Sequence, residues 1–193
     1  ITGTVDYLCG GGDVLFNRVT LYNNARSNGD CITAPATSSQ WGYVFLDCTI
    51  DGDAGQDGKY SLGRPWQGAP RAVYINTTMK ILPTGEGWSD MGVVPALFAE
   101  YNSHTENGVE IDYTGRKTQF KVNDVMKPID YNPVLTKEQA DQYTIANVVG
   151  GTDNWQPELL TEQAEDMFGL YINKVIMTRD ISVFVNSWKI DME

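Results

Sequence analysis

Leu15-Phe16-Asn17-Arg18-Val19-Thr20-Leu21 is a short apolar run interrupted by polar residues, and the pattern recurs. Related runs occupy Val44 to Ile50, Val73 to Met79 and Leu97 to Ser103. The four begin at residues 15, 44, 73 and 97, at intervals of 29, 29 and 24. A second series runs beside the first: Gly3-Thr4-Val5-Asp6-Tyr7-Leu8, then Cys31-Ile32-Thr33-Ala34-Pro35, then Tyr60-Ser61-Leu62-Gly63-Arg64-Pro65, at intervals of 28 and 29. Each repeat therefore holds at least two short strands joined by Gly, Asn, Asp and Pro turns. Antiparallel hairpins would recur about every 8–12 residues around Asn-Gly or Asp-Gly turns. A coil of nearly 30 residues carrying two or three strands is the spacing of a solenoid. The expected fold is all-β, a parallel β-helix.

Composition agrees with that reading. In 193 residues, 41% are hydrophobic, enough for one domain with a core, while 19 glycines and 11% aromatics suit strands and turns better than a helical bundle. No run of 18 apolar residues exists, so no membrane span is expected. A net charge of -11 argues against nucleic acid, whose phosphates need a basic face. The same charge disfavours an anionic ligand over the whole surface but leaves room for a local neutral or basic cleft. Ile1 is not an initiator methionine, so the sequence is expected to begin inside a longer precursor or at an artificial boundary, and targeting cannot be read from it. Cys9, Cys31 and Cys48 are too sparse for a disulfide framework or a zinc site and read as small half-buried hydrophobes.

Beyond Asn107 the repeat lapses. Residues 108–134 read as a long loop or irregular strands. Thr136-Lys137-Glu138-Gln139 is a capping box that predicts one helix to about Val148, with Ala140, Tyr143 and Ala146 on a shared face and Gly150-Gly151 closing it. Such a C-terminal helix is expected to cap the solenoid. Further on, 161–170 reads as a short amphipathic helix and 174–178 and 181–188 as strands, without an evident role. The domain reading is 1–157 for the β-helix and 158–193 for an extension.

The chemistry has few candidates. His104 is the single histidine, no serine lies in a Gly-x-Ser-x-Gly elbow, and no His or Cys cluster has metal-ligand spacing. His104 reads as a surface loop residue. No metal and no cofactor is expected, and carboxylates are the reactive groups if the chain is a hydrolase. Asp6 stands inside an apolar, β-branched strand, where a carboxylate needs a cation or donors. Stacking the second series at 28–29 residues per coil sets Asp6 below Ala34, and Ala34 below Gly63 or Arg64. Two rungs are about 10 Å, and the intervening residue is small, so the arginine can reach down, keep Asp6 ionised and fix its rotamer. Trp66 shares a face with Arg64 in an extended strand and fits both sugar stacking and a structural role.

These residues carry a resemblance. Gly3-Thr4-Val5-Asp6-Tyr7-Leu8-Cys9-Gly10 resembles the Gly-Thr-Val-Asp-Phe-Ile-Phe-Gly signature of pectin methylesterases, and Leu62-Gly63-Arg64-Pro65-Trp66 matches that family's Leu-Gly-Arg-Pro-Trp block. Ile32-Thr33-Ala34-Pro35, Gly87-Trp88-Ser89-Asp90-Met91, Phe98-Ala99-Glu100-Tyr101 and Asn154-Trp155-Gln156-Pro157 are similar to family blocks in the right order. The resemblance covers about residues 1–157 and is to the C-terminal part of a bacterial-type catalytic domain.

It implies a right-handed parallel β-helix that is secreted, periplasmic or at the cell surface and acts on pectin, the methylated homogalacturonan. It implies that Asp6 attacks the C6 carbonyl of methyl galacturonate, that methanol leaves, and that water hydrolyses the acyl-enzyme. Arg64 would hold Asp6; Trp66, Met91, Cys9 and Thr33 would contact the sugar. Two departures follow. Cys9 replaces a substrate-facing Phe, and the family's general acid and oxyanion glutamines precede the nucleophile, so they lie before Ile1. The chain alone is therefore expected to be nearly inactive, with an N-terminal strand edge that pairs with a companion chain carrying the first half or with itself. A non-catalytic uronate-binding β-helix, and an esterase or thioesterase of the same fold acting on another ester, are the competing readings. A pectate lyase is disfavoured because no Asp cluster suited to calcium appears.

Overall fold

The apolar runs that set the repeat are each two strands. In the computed structural model, which describes residues 1–152 and 155 apart from 28 and 37, every run bends at one non-glycine residue of left-handed backbone. These are Arg18 (φ 56°), Asp47 (φ 52°), Asn76 (φ 54°) and Asn102 (φ 51°). Asn and Asp tolerate this region because their short polar side chains bond locally. Here they also bond to one another: Asn76 Nδ2 donates to Asp47 Oδ1 (3.0 Å) and Asn102 Nδ2 to Asn76 Oδ1 (2.8 Å). Three strands per coil result, the upper end of the two or three expected.

The strands are β1 (Thr2–Gly3), β2 (Val5–Gly10), β3 (Val14–Asn17), β4 (Thr20–Asn23), β5 (Asp30–Pro35), β6 (Tyr43–Leu46), β7 (Thr49–Gly52), β8 (Tyr60–Gly63), β9 (Arg71–Ile75), β10 (Thr78–Met79), β11 (Leu97–Tyr101) and β12 (His104–Thr105). They sort into three parallel sheets, β2-β5-β8, β3-β6-β9-β11 and β1-β4-β7-β10-β12. Each sheet takes one strand from each successive coil, which is the parallel β-helix expected. In the second sheet Leu15 pairs with Val44 and Val44 with Val73, at the predicted interval of 29. The last step differs: Val73 pairs with Ala99 and Arg71 with Leu97, so the true interval is 26 and not 24.

Alternation along the second sheet divides two clusters. Ala72, Tyr74 and Phe98 face the interior with Ile32, Leu62, Phe45 and Trp88, whereas Val73, Ile75 and Ala99 pack outward against Leu135 and Ala140. The C-terminal helical residues thus cover the outer face of that sheet. They do so as two pieces, α1 (Lys137–Ala140) and α2 (Ile145–Val149), where one helix was expected. The capping box at Thr136 and Gln139 forms as read. Thr144 then restarts the helix, its Oγ1 accepting from Asn147 N (3.1 Å), in the manner of a second N-cap. Ala140 is buried and Tyr143 half-buried, but Ala146 is exposed and Val148 takes the inward position.

Residues 108–134 contain a hairpin, β13 (Gln119–Val122) with β14 (Val125–Pro128), turning at Asn123 (φ 50°) and Asp124 (φ 63°). Two consecutive positive φ values are what a two-residue hairpin turn needs, and Asn-Asp supplies them without glycine. His104, expected on a surface loop, is half-buried in β12, with Nδ1 3.1 Å from Asn102 O and Nε2 3.4 Å from Thr78 Oγ1. The cysteines, expected to be half-buried, divide: Cys31 and Cys48 are buried and Cys9 is exposed. The compact unit described is Ile1–Val149. The elements expected at 161–170, 174–178 and 181–188 lie outside the described residues.

Candidate active site

Asp6 sits where β2 leaves its register. Val5 pairs with Cys31, yet Leu8 pairs with Thr33, so β2 holds one more residue than β5 between those partners. The surplus is taken up as a bulge, and Asp6 adopts φ 48° within it. A bulge re-aims a side chain, and a left-handed aspartate inside a strand is costly backbone that the surrounding sheet must hold in place. The expected stacking of Asp6 on Ala34 is therefore corrected. Cys9 lies beside Ala34, and Asp6 lies near Cys31.

The expected partner is nevertheless reached. Arg64 follows β8, and its backbone N–H donates to Thr33 O (2.9 Å), which fixes it one residue beyond the Thr33–Gly63 pair. Its guanidinium spans two rungs to Asp6. Nε donates to Oδ1 at 2.8 Å and Nη2 donates to Oδ2. This fork uses both carboxylate oxygens, so it sets the plane of the carboxylate as well as its charge. The carboxylate's hydrogen bonds hold the Arg64 pKa above its ordinary value, against a smaller opposing effect of burial. Side-chain exposures of 20% for Asp6 and 30% for Arg64 leave both reachable from the groove. Each oxygen keeps a lone pair for attack.

The floor beneath the pair is Cys31. It is 3% exposed, its Sγ donates to Thr33 O (3.3 Å), and burial first, then the charge of Asp6, pushes the thiol far above its usual range. It is thus a neutral thiol. Nothing in the sequence marked Cys31, because its place under Asp6 depends on the bulge. Thr33 needs a correction too: it is fully buried, and its Oγ1 donates to Leu62 O (3.1 Å). It shapes the floor and cannot touch a sugar in the groove. Gly63 is forced by the same packing, since a Cβ there would lie 2.3 Å from Thr33 Oγ1 and 3.3 Å from the Trp88 ring.

Trp66 is 44% exposed, Met91 is half-buried and Cys9 is exposed, so all three can face a ligand. Trp88 makes a parallel bridge with Gly63, and Ser89 N donates to Gly63 O (3.0 Å). That segment is a fourth rung of the first sheet. Among the described residues no group of three or more His, Cys, Asp or Glu could hold a metal ion.

The two sequence blocks implied an arginine two rungs from Asp6 but not the bulge that holds it, and the pectinesterase family model matches residues 1–152. The chain belongs to the pectinesterase family. It is 31% identical over 148 residues to the probable pectinesterase A of Aspergillus niger, covering 73% of this chain and 42% of that protein. It is 26% identical over 159 residues to the putative pectinesterase 11 of Arabidopsis thaliana, covering 81% and 41%. Its fold resembles pectin methylesterase structures from Erwinia chrysanthemi and Yersinia enterocolitica. Both have TM-score 0.59 and 24% identity; the first covers 81% of this chain and 49% of that one, the second 79% and 52%. This pectinesterase-family chain therefore spans less than half the length of those curated relatives and about half of the solved structures.

Proposed function

We propose that this pectinesterase-family chain carries the nucleophile of a carboxylic ester hydrolase that removes methyl esters from galacturonate units of pectin. The Asp6–Arg64 fork at the β2 bulge carries the reading. A related pectin methylesterase has been solved with a hexasaccharide, which supports an oligosaccharide ligand for the groove.

An Asp6 oxygen attacks the C6 ester carbonyl and forms a tetrahedral centre. Methoxide departs, taking a proton from a general acid, and leaves an acyl–Asp6 anhydride. Water then adds to the acyl carbon, giving a proton to the deprotonated general acid, and the bond from that carbon to the Asp6 oxygen breaks, freeing galacturonate and the Asp6 carboxylate. Arg64 orients the attacking oxygen and offsets its charge throughout. Trp66 stacks on the sugar, with Met91 beside it and exposed Cys9 where the family has an aromatic wall. The general acid and the oxyanion donors act from the open side of β2. This is the edge strand of its sheet, as β1 and β3 are of theirs, and a segment or companion chain seated there reaches Asp6. The site of action is extracellular or at the cell surface, in keeping with a polymeric cell-wall substrate. Among the described residues no helix is long and apolar enough to cross a membrane.

Methanol release from methylated pectin by the full-length protein tests the reading. Asp6→Asn should lower kcat at least about 1,000-fold with the fold intact. Activity surviving that change removes Asp6 as nucleophile. Residues 1–193 alone should show little release in the same assay, and full activity from them removes the need for the additional groups.

A further inference from the structure

Lys117 is almost sealed from solvent, with 8% of its side chain exposed, yet its Nζ meets two carboxylates, Glu86 Oε2 at 3.2 Å and Asp90 Oδ2 at 3.4 Å. The backbone tightens the same contact. Lys117 N donates to Glu86 O (3.0 Å), and Lys121 N, at the hairpin, donates to Asp90 Oδ1 (2.9 Å). Arg116 also holds the segment, with Nη1 donating to Gly85 O (3.1 Å) and its Cδ so near Gly87 that a Cβ there would lie 2.8 Å away. Two consecutive cations thus hold residues 85–90 in place.

That segment leads into the fourth rung of the groove. Asp90 lies two residues past the Gly63–Trp88 bridge and next to half-buried Met91, and its side chain is 34% exposed. In a chain of net charge -11, a bare carboxylate here would repel a uronate lying across Trp66 and Met91. Lys117 offsets that charge at close range while being too covered to bind the sugar itself.

We propose that Lys117 is a positioning residue: it neutralises Asp90 beside Met91, so that a polyanionic galacturonan can lie along that end of the groove. The proposal rests on the galacturonan reading above.

Calorimetric binding of hexagalacturonate, which has no ester to cleave, tests it without turnover. Lys117→Met should weaken binding roughly fivefold at low salt, and the loss should vanish near 1 M salt, where screening acts within about 3 Å. Lys117→Arg and the double variant Lys117→Met/Asp90→Asn should bind like the parent. Asp90→Asn alone, which retains the cation, should change affinity less than about twofold. Unchanged binding by Lys117→Met, or a double variant that stays weak, overturns the proposal and leaves the esterase reading standing. So does a gain of fivefold or more in Asp90→Asn, because the charge was then never masked. Failure of the parent to bind hexagalacturonate overturns the galacturonan reading, and this proposal with it.

Discussion

Glu100 has no exposed surface, and the cation that meets it, Arg116, is 6% exposed. Nε donates to Oε1 at 2.5 Å and Nη2 to Oε2 at 3.1 Å, and the guanidinium carbon lies 5.6 Å from the Tyr113 ring centroid. Two charges taken out of water are tolerable only as a pair of this quality, and removal of one partner strands the other. Arg116→Met should therefore destabilise the fold by about 3–5 kcal/mol, and Glu100→Met added to it should recover most of that loss. Urea unfolding of the two variants checks the order. A double variant no more stable than the single one would show that Arg116 acts through Gly85 and Tyr113 and not through Glu100. The sequence quoted Glu100 within a family block, but nothing in its spacing tied it to Arg116, because the pairing runs through the irregular stretch after Asn107. Asp6 and Arg64 were legible for the opposite reason: both lie on repeats whose stacking could be counted. Even so, counting misplaced Asp6 against Ala34, since a bulge adds a residue that no periodicity reveals.

At the level of elements, the turns carry the pH response. Asp53 follows β7 and ties it to the coil below, accepting from Ala25 N (2.6 Å) and from Tyr22 Oη (2.9 Å). Those bonds, the backbone one first, hold its carboxyl below the ordinary value. A lowered folded-state pKa means the tether stabilises fully above the unfolded carboxylate range and fades as pH falls through the folded value. Melting temperature against pH should accordingly show Asp53→Asn below the parent at pH 7, with the two curves converging below about pH 4. A gap that is constant with pH would remove the carboxylate's charge from the explanation. The elements hidden from the sequence share one cause. Arg18, Asp47, Asn76 and Asn102 bend each apolar run without glycine or proline, and Asn123-Asp124 turns a hairpin in the same way. Thr144 likewise caps a second helix inside what reads as one periodic segment. Turn chemistry spoken by Asn, Asp, Arg and Thr is quieter than Gly or Pro punctuation, so the pattern left open whether a coil holds two strands or three.

Across the whole molecule, an aromatic stack joins the coils. Phe16 lies on Phe45 (4.5 Å, 6°), Phe45 on Tyr74 (4.2 Å, 6°), and the series continues through Trp88 and Phe98 to Phe120. A solenoid's stability is a sum of coils and nearest-neighbour interfaces, so a stack residue's worth depends on how many neighbours it touches. Phe45 is fully buried between Phe16 and Tyr74, whereas Phe16 is half-buried on the edge strand β3. Phe45→Ala should then cost about 3–5 kcal/mol, the range for an enclosed aromatic, and Phe16→Ala no more than about half as much. Because β3 pairs only with β6 among the described residues, Phe16→Ala should also leave the Asp6–Arg64 fork in place, while Phe45→Ala loosens the coils that hold both residues. Denaturant midpoints and slopes measured on both variants decide the matter. Equal losses would mean that Phe16 is as enclosed as Phe45 in solution, and hence that another surface covers the β1–β3 edge.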